Sequence, residues 1–179
     1  MVLCRSLPPI LNKEARILVL GSMPSVMSLR QQQYYANPQN QFWRIIFTVF
    51  EQPLPVAYEE RVSYLRRWGI SLWDVLAYCE REGSSDSAIR AETPNNFPDF
   101  FKQNPHIRHV FFNGTKARDM WQKHVRYEAG RQIRFHTMPS TSPANTRPFS
   151  DKVEQWESIL EFCGDNPLGP AVGLHYRDV

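Results

Sequence analysis

The segment at residues 21–43 contains residue types that could bind a flat heterocycle. It opens with GSMPS, a turn that would present backbone N–H groups, and ends with YYANPQNQFW, which supplies aromatic rings and carboxamides. Backbone donors, an aromatic face and a nearby carboxamide are what recognition of a nucleobase requires. A plain turn followed by core aromatics is the alternative, which composition alone favours; those aromatics are Tyr34, Tyr35, Phe42 and Trp43.

Strands and helices alternate along the chain, and the polar segments follow strands. The run ARILVLG at 15–21 is short, apolar and ended by Gly, which is typical of a strand buried on both faces. The alternation predicts an α/β fold with a parallel sheet, helices on both faces and the site at the carboxyl ends of the strands. Further strands are predicted at 69–76, 109–112 and 131–138, and helices at 41–50, 58–68, 97–102, 113–126 and 150–162, with Ser150 as the last N-cap.

Composition favours one globular domain. A chain of 179 residues with 42% hydrophobic content suits a single core, and 22% charged residues argue against disorder. We expect residues 1–163 to form this domain and residues 164–179, which are rich in Gly and Pro, to be a loosely ordered tail.

Cysteine usage and hydropathy indicate the cellular compartment in which we expect the protein. Cys4, Cys79 and Cys163 have no metal-binding spacing, so we expect reduced thiols and no metal. No apolar run approaches the ~20 residues that cross a membrane, and the start MVLCRSLPPI does not suit a signal peptide. We therefore expect a cytoplasmic, prokaryotic-type protein without a membrane partner.

Positive charge is concentrated in one stretch, although the formal net charge is only +3. Such a stretch favours a polyanionic partner, because phosphate contacts release counterions. Exposed helix faces have the same composition, and this alternative stays open. The cations are Arg108, Lys116, Arg118, Lys123, Arg126, Arg131 and Arg134, against Asp119 and Glu128.

The motifs of the 21–43 segment resemble those of the uracil-DNA glycosylase superfamily. Its mismatch-specific branch carries GINPG, then an aromatic before Ala, then NRFW; here GSMPS, YANP at 35–38 and NQFW at 40–43 follow in that order. The chain resembles the hypoxanthine (deoxyinosine) DNA glycosylase branch more closely, with GS-x-PS and YYA-x-P-x-N-x-FW. The resemblance runs from about residue 17 to 162. It implies a monomeric three-layer α/β/α sandwich around a short, mainly parallel four-stranded sheet.

One position departs from the mismatch-specific pattern. Met23 stands where that branch has an Asn that positions the attacking water, and a thioether cannot orient water. The resemblance to the hypoxanthine-type branch implies that Asn40 carries this catalytic role instead.

A second segment, MPSTSPANTR at 138–147, resembles the superfamily loop that enters DNA when a base is flipped. Its hydroxyls and backbone N–H groups suit phosphate oxygens, and its PAN sequence could fill the vacated stack. Without the family resemblance, a PSTSP run is usually a surface loop. The superfamily's best-known members have a His before that Pro; here Met138 and His136 receive no catalytic role. The expected DNA contacts are Ser140, Thr141, Ser142, Pro143, Ala144, Asn145 and Arg147.

Two residues that follow strands are candidates for reading the base edge. GISLWD at 69–74 resembles the segment in which uracil-specific relatives place an Asn, and Asp74 is the candidate here. An ionised carboxylate could accept the N1–H of hypoxanthine or the N3–H of uracil. Asn113 is the second candidate, although an Asn-Gly pair is more often turn chemistry and Asp74 could equally cap a loop. GSSDSAIR at 83–90 also matches the hypoxanthine-type pattern, but its residues suit a cap and a turn, so we assign it no chemistry.

Together these residues suggest hydrolysis of the N-glycosidic bond of a deaminated base in DNA, in base-excision repair. Tyr35 would stack on the flipped base, and the N–H groups of Ser22 and Met23 would bind its carbonyl oxygen. The expected partner is DNA with a deaminated or mismatched base, and neither metal nor cofactor is needed. An abasic-lyase mechanism would need an amine nucleophile in the pocket. The nearest cation to the loops is Arg30, which cannot form a Schiff base, so the sequence disfavours this mechanism.

Two alternatives remain from sequence. One is a glycosylase of the same fold that prefers uracil. The other is a non-catalytic module that binds lesion DNA, which Met23 suggests because the usual catalytic Asn is missing.

Overall fold

The computed structural model describes residues 2–126 and 132–163. The predicted tail at 164–179 therefore lies outside the described residues. Strands are β1 Val2–Arg5, β2 Ile17–Gly21, β3 Ile70–Asp74, β4 Leu76–Arg81, β5 Arg90–Pro94, β6 His109–Asn113 and β7 Arg134–Met138. Helices are α1 Val26–Gln31, α2 Phe42–Val49, α3 Tyr58–Arg67, α4 Phe97–Gln103, α5 Thr115–His124 and α6 Phe149–Trp156, with 3-10 turns at Asp86–Ala88 and Glu157–Phe162.

The central sheet has four parallel strands in the order β3-β2-β6-β7. Strand β2 is fully buried because its alternating apolar side chains serve both faces. Ile17 and Val19 join the core cluster that contains residues of α2, α3 and α6. Leu18 and Leu20 join the opposite cluster, which contains residues of α4 and α5. The predicted α/β/α sandwich is thereby confirmed.

A second, antiparallel sheet with the order β1-β4-β5 was not predicted. Strand β4 begins only two residues after β3 ends, so the chain passes directly from the central sheet into the smaller one. Leu76, Cys79 and Arg81 are buried in β4 whereas Tyr78 is exposed, so burial does not alternate strictly along the strand. The short β1 and the irregular register between β4 and β5 carry little periodicity for sequence analysis to detect.

The last helix differs from its prediction at both ends. It begins at Phe149 with Pro148 at the N-cap, so the prediction of Ser150 as the cap is wrong. Pro148 already turns the chain toward the helix with φ −51° and ψ 147°, and the Ser150 hydroxyl instead donates to Asp151 Oδ1. After Trp156 the chain continues as 3-10 turns.

None of the helices within the described residues is long and apolar enough to cross a membrane. The Cys163 thiol is free, and burial raises its pKa to about 12.

Candidate active site

A cavity of about 530 Å³ opens at the carboxyl ends of the parallel strands. Gly21, Asp74 and Asn113 end β2, β3 and β6 at its wall, and the loop after β7 adds residues 140–145. This is the place at which open parallel sheets hold ligands. The predicted site residues on the wall are Ser22, Met23, Tyr35, Asn40, Asp74, Asn113, Ser140, Thr141, Ser142, Pro143, Ala144 and Asn145; Arg147 is exposed and is not part of the wall.

The loop after β2 is held against the neighbouring chain by its carbonyl groups. Gly21 O accepts from Val75 N at 2.9 Å, and Ser22 O accepts from Leu76 N at 3.1 Å. The Met23 side chain is only 6% exposed and belongs to an apolar core cluster. Met23 therefore lies at the cavity wall with most of its surface packed in the core.

Close approach at Gly21 shapes the end of the cavity. A Cβ atom at Gly21 would lie 2.5 Å from Asp74 Oδ1 and 3.5 Å from Tyr35 Oη, so only glycine lets these groups come so near. Asp74 is 3% exposed, and its Oδ2 accepts from Ser6 Oγ at 3.1 Å. Burial, and then the Asp74 charge, raise the pKa of Tyr34. The Tyr34 phenol therefore remains a donor, as in its contacts with the carbonyls of residues 7 and 8.

Tyr35 is held in an unusual backbone conformation. Its φ of 55° lies in the left-handed region, which bulky residues rarely adopt. Its ring stacks on Phe42, with centroids 4.0 Å apart and planes 26° apart. Because Tyr35 lines the cavity and Phe42 supports it from the core, the arrangement holds a flat aromatic surface at the wall.

Asn40 is fixed by two donors to the same oxygen. Its Oδ1 accepts from Phe42 N and from Thr141 Oγ1, both at 2.9 Å. The backbone donor at Phe42 requires an oxygen, which settles the orientation of the amide. Among the hydrogen bonds of the described residues, none uses Asn40 Nδ2. The amide N–H groups are thus the part of Asn40 that remains for a ligand or a water molecule.

Asn113 contacts the loop after β7 through both ends of its amide. Its Nδ2 donates to Thr141 Oγ1 at 2.9 Å, and its Oδ1 accepts from Thr141 N at 2.9 Å. The next residue, Gly114, approaches Ser140 so closely that a Cβ atom there would lie 2.9 Å from Ser140 Cβ. These contacts indicate that Asn113 holds the loop in place; its predicted reading of the base stays a prediction.

Three serines on the wall, Ser84, Ser85 and Ser87, received no role from the sequence. Ser84 Oγ accepts from Val26 N at 3.0 Å, which joins this turn to the start of α1. The match of GSSDSAIR to the hypoxanthine-type pattern was the available signal, but hydroxyl-rich turns are too common for the residues alone to place them at a site.

The basic stretch does not form one face toward the cavity. Arg108 and Arg134 lie at the amino ends of β6 and β7, the edge of the sheet opposite the site. Arg118 pairs with Asp119, and Lys123 pairs with Glu92. Lys116, in the first turn of α5, follows the strand end that reaches the cavity, whereas residue 131 lies outside the described part.

Met138 and His136, which received no catalytic role, are both absent from the described cavity wall. Met138 is buried in the core. His136 Nε2 lies 3.1 Å from His109 Nδ1, and both rings pack near Phe162. Burial is the main cause that lowers the pKa of each imidazole. The charge of His136 lowers the pKa of His109 further, and the Arg134 cation lowers the pKa of both. Glu161 acts in the opposite direction on His136 alone.

We expect this histidine pair to make stability depend on pH. Each pKa is lower in the folded chain than the ordinary value near 6.5, so the unfolded chain binds more protons between the two values. The contribution of the pair to the free energy of unfolding is complete above about pH 6.5 and is lost as pH falls through the pKa values of the folded chain. The slope of the free energy of unfolding against pH corresponds to uptake of at most about two protons on unfolding. Urea unfolding at several pH values should show this slope reduced in a His109→Gln/His136→Gln variant; an unchanged slope would contradict the assignment.

Within the described residues, no group of three or more His, Cys, Asp or Glu side chains could hold a metal ion. The polar groups of the wall are instead hydroxyls, amides and one buried carboxylate. This set suits hydrogen bonding to an organic ligand.

Comparison with known proteins decides the family. The sequence profile described as the Uracil DNA glycosylase superfamily matches residues 8–162. The chain belongs to the uracil DNA glycosylase superfamily. A relative from Methanosarcina acetivorans named hypoxanthine DNA glycosylase is 38% identical over 157 residues, which cover 87% of this chain and 97% of the relative. One of the same name from Methanosarcina barkeri is 32% identical, covering 86% and 96%.

The fold agrees with this membership. The NMR solution structure of a candidate uracil DNA glycosylase from Methanosarcina acetivorans matches with a TM-score of 0.75 and 35% identity, covering 89% of this chain and 97% of that one. As a superfamily member, the chain is a DNA glycosylase, a hydrolase of N-glycosyl bonds. Its cavity is thus the candidate site for a base flipped out of DNA.

Proposed function

We propose that this glycosylase removes hypoxanthine from DNA. The observation that carries the proposal is the position of Asn40, whose Oδ1 is held at the cavity by two hydrogen bonds. Met23 is instead packed in an apolar core cluster. Two relatives that match almost the whole chain are named hypoxanthine DNA glycosylase, which supports the same substrate.

The base would be recognised by its flat face and its polar edge. Hypoxanthine carries a carbonyl oxygen at C6 and an N–H at N1. Tyr35 would stack on the ring, with Phe42 behind it. The Asp74 carboxylate would accept the N1–H, and the backbone N–H groups of Ser22 and Met23 would donate to the carbonyl oxygen.

These contacts would also assist departure of the base. As the C1′–N9 bond breaks, its electron pair moves onto the base, and donors aimed at the carbonyl oxygen stabilise that charge. The Asn40 N–H would hold the oxygen of a water molecule so that a lone pair faces C1′. The water oxygen then bonds to C1′ and releases a proton, the departing base anion takes up a proton at a ring nitrogen, and the products are neutral hypoxanthine and an abasic sugar.

Several wall residues would contact the DNA strand. Extrusion of the nucleotide costs a few kcal/mol, less for a mispaired base. Residues 143–145 would fill the vacated stack, and the hydroxyls of residues 140–142, with Arg147, would contact phosphates. No lysine belongs to the described wall, which disfavours a Schiff-base mechanism. We further propose that the protein acts as a monomer in the cytoplasm.

Uracil is the second candidate substrate. Asp74 is the observation that favours it, because a carboxylate accepts the N3–H of uracil as readily as the N1–H of hypoxanthine. Adenine differs because its N1 is an acceptor. Its lone pair would face the acceptor oxygen of Asp74, and this contact would be repulsive.

A panel of lesion oligonucleotides tests the substrate. Duplexes would carry deoxyinosine, deoxyuridine, deoxyxanthosine, thymine opposite guanine, or deoxyadenosine as the matched undamaged control, and abasic products would be revealed by alkaline cleavage. We expect release of hypoxanthine to exceed that of uracil roughly 10-fold or more, and no release of adenine. Faster release of uracil would establish the second candidate. Tight binding without any product would establish a non-catalytic module.

A further inference from the structure

Lys152 is a buried cation that the proposed chemistry does not use. It lies in α6 and is 1% exposed. Its ammonium donates to Gln41 Oε1 at 2.8 Å and to Asn145 O at 2.7 Å. None of the ion pairs within the described residues includes Lys152. Burial of a charge is costly, so a buried cation is normally paired or hydrogen-bonded. The two acceptors of Lys152 supply these hydrogen bonds.

The two acceptors belong to different parts of the site. Gln41 directly follows Asn40, and its backbone N donates to Thr141 O at 3.0 Å. Asn145 lies at the far end of the loop at 140–145, and its Nδ2 donates back to Ser140 O at 2.8 Å. The ammonium thus joins the segment of the candidate catalytic amide to the loop expected to enter DNA.

The surroundings of Lys152 show why a cation suits this position. Burial, and then the Arg147 cation, lower its pKa, so the side chain depends on nearby oxygens to stay charged. An ammonium can donate in three directions, and a fixed point charge holds two oxygens that approach from different sides. A side chain with one donor could not hold both segments.

We propose that Lys152 is a positioning residue, which keeps Asn40 and the loop at 140–145 in one geometry so that water is placed correctly when the loop enters DNA. The proposal rests on the proposed function, in which Asn40 positions water. Lys152 acts through Gln41 and Asn145 and does not contact the substrate.

A double-mutant cycle tests this role. Lys152→Met, Gln41→Leu and the double variant would be compared for single-turnover base release and for affinity to DNA with an uncleavable lesion analogue. We expect each single variant to slow release roughly 10-fold or more, with affinity changed less than about threefold. The double variant should be no slower than the slower single variant, since both changes remove one interaction.

Two further variants separate positioning from folding. Gln41→Glu keeps the acceptor and gives Lys152 an anionic partner, so it should retain the wild-type rate even if Lys152→Met folds poorly. Lys102→Met removes an exposed lysine on α4 and should change nothing. Losses in the rate of base release that add up in the double variant would overturn the proposal. So would a loss of affinity for DNA, with a weaker dependence on salt, at an unchanged rate of base release. Full-rate Lys152→Met would overturn this role alone, whereas a wild type inactive on every lesion would overturn the proposed function with it.

Discussion

Replacement of Asn40 by alanine is expected to slow base release by about 10²-fold or more, because an unplaced water rarely attacks C1′ in the right direction. The change removes the amide N–H and also the oxygen that accepts from Phe42 N and Thr141 Oγ1. Single-turnover release of hypoxanthine measures the effect. A variant that retains near-full turnover would show that Asn40 does not carry the chemistry.

Asn40→Asp separates the two parts of the amide. It keeps an oxygen for both donors and loses the N–H, so we expect the melting temperature to stay near that of the wild type while release remains as slow as in Asn40→Ala. A fast Asn40→Asp enzyme would show that an acceptor is needed instead of the N–H. The matched control is Asn96→Ala, which removes the side chain that caps α4 and should cost roughly 0.5–2 kcal/mol of stability without affecting release.

Replacement of Gly21 by alanine should be nearly as damaging, although it adds only one methyl group. The new Cβ would lie 2.5 Å from Asp74 Oδ1, so the carboxylate must move away from the position proposed to bind the base. Displacement of a binding group by about 1 Å costs roughly 10²-fold in rate. Steady-state kinetics on a deoxyinosine duplex would measure kcat/KM, and Asp74→Asn should show a comparable loss.

Gly69→Ala is the matched control for that experiment. Gly69 has φ +70° and open space around its Cβ position, and it lies at the edge of the sheet opposite the cavity. The left-handed backbone should cost roughly 1–2 kcal/mol of stability, whereas kcat/KM should not change. If Gly21→Ala kept its kcat/KM, the assigned position of Asp74 would be wrong.

The central fold could be predicted because its strands carry strong local signals. ILVLG at 17–21 and HVFF at 109–112 are short buried runs, and polar segments follow each of them. The β1-β4-β5 sheet could not be predicted, since its pairing joins residues as distant as Val2 and Arg81 without a clear period in either strand. Parallel topology also brought the candidate residues of four segments, except Arg147, to one cavity.

Contacts between distant side chains explain what sequence analysis missed. Lys152 looks like any helical lysine until the chain brings Gln41, which is 111 residues away, to its ammonium. The Asn113 amide bonds to Thr141, a contact that the sequence did not indicate, and its reading of the base stays a prediction. Residue types predict which groups can form hydrogen bonds, but only the fold determines the partners.

The burial of Met23 also limits which side chains this position can accept. An Asn at this position, as in the mismatch-specific branch, would put an amide into the apolar cluster that contains Leu18, Leu20 and Val75. An unsatisfied amide there would cost about 1–3 kcal/mol, a large part of the stability of a small domain. A Met23→Asn substitution is therefore expected to lower the free energy of unfolding, whatever its amide could contribute at the cavity. The packing of the core around Met23 is thus consistent with the proposed role of Asn40.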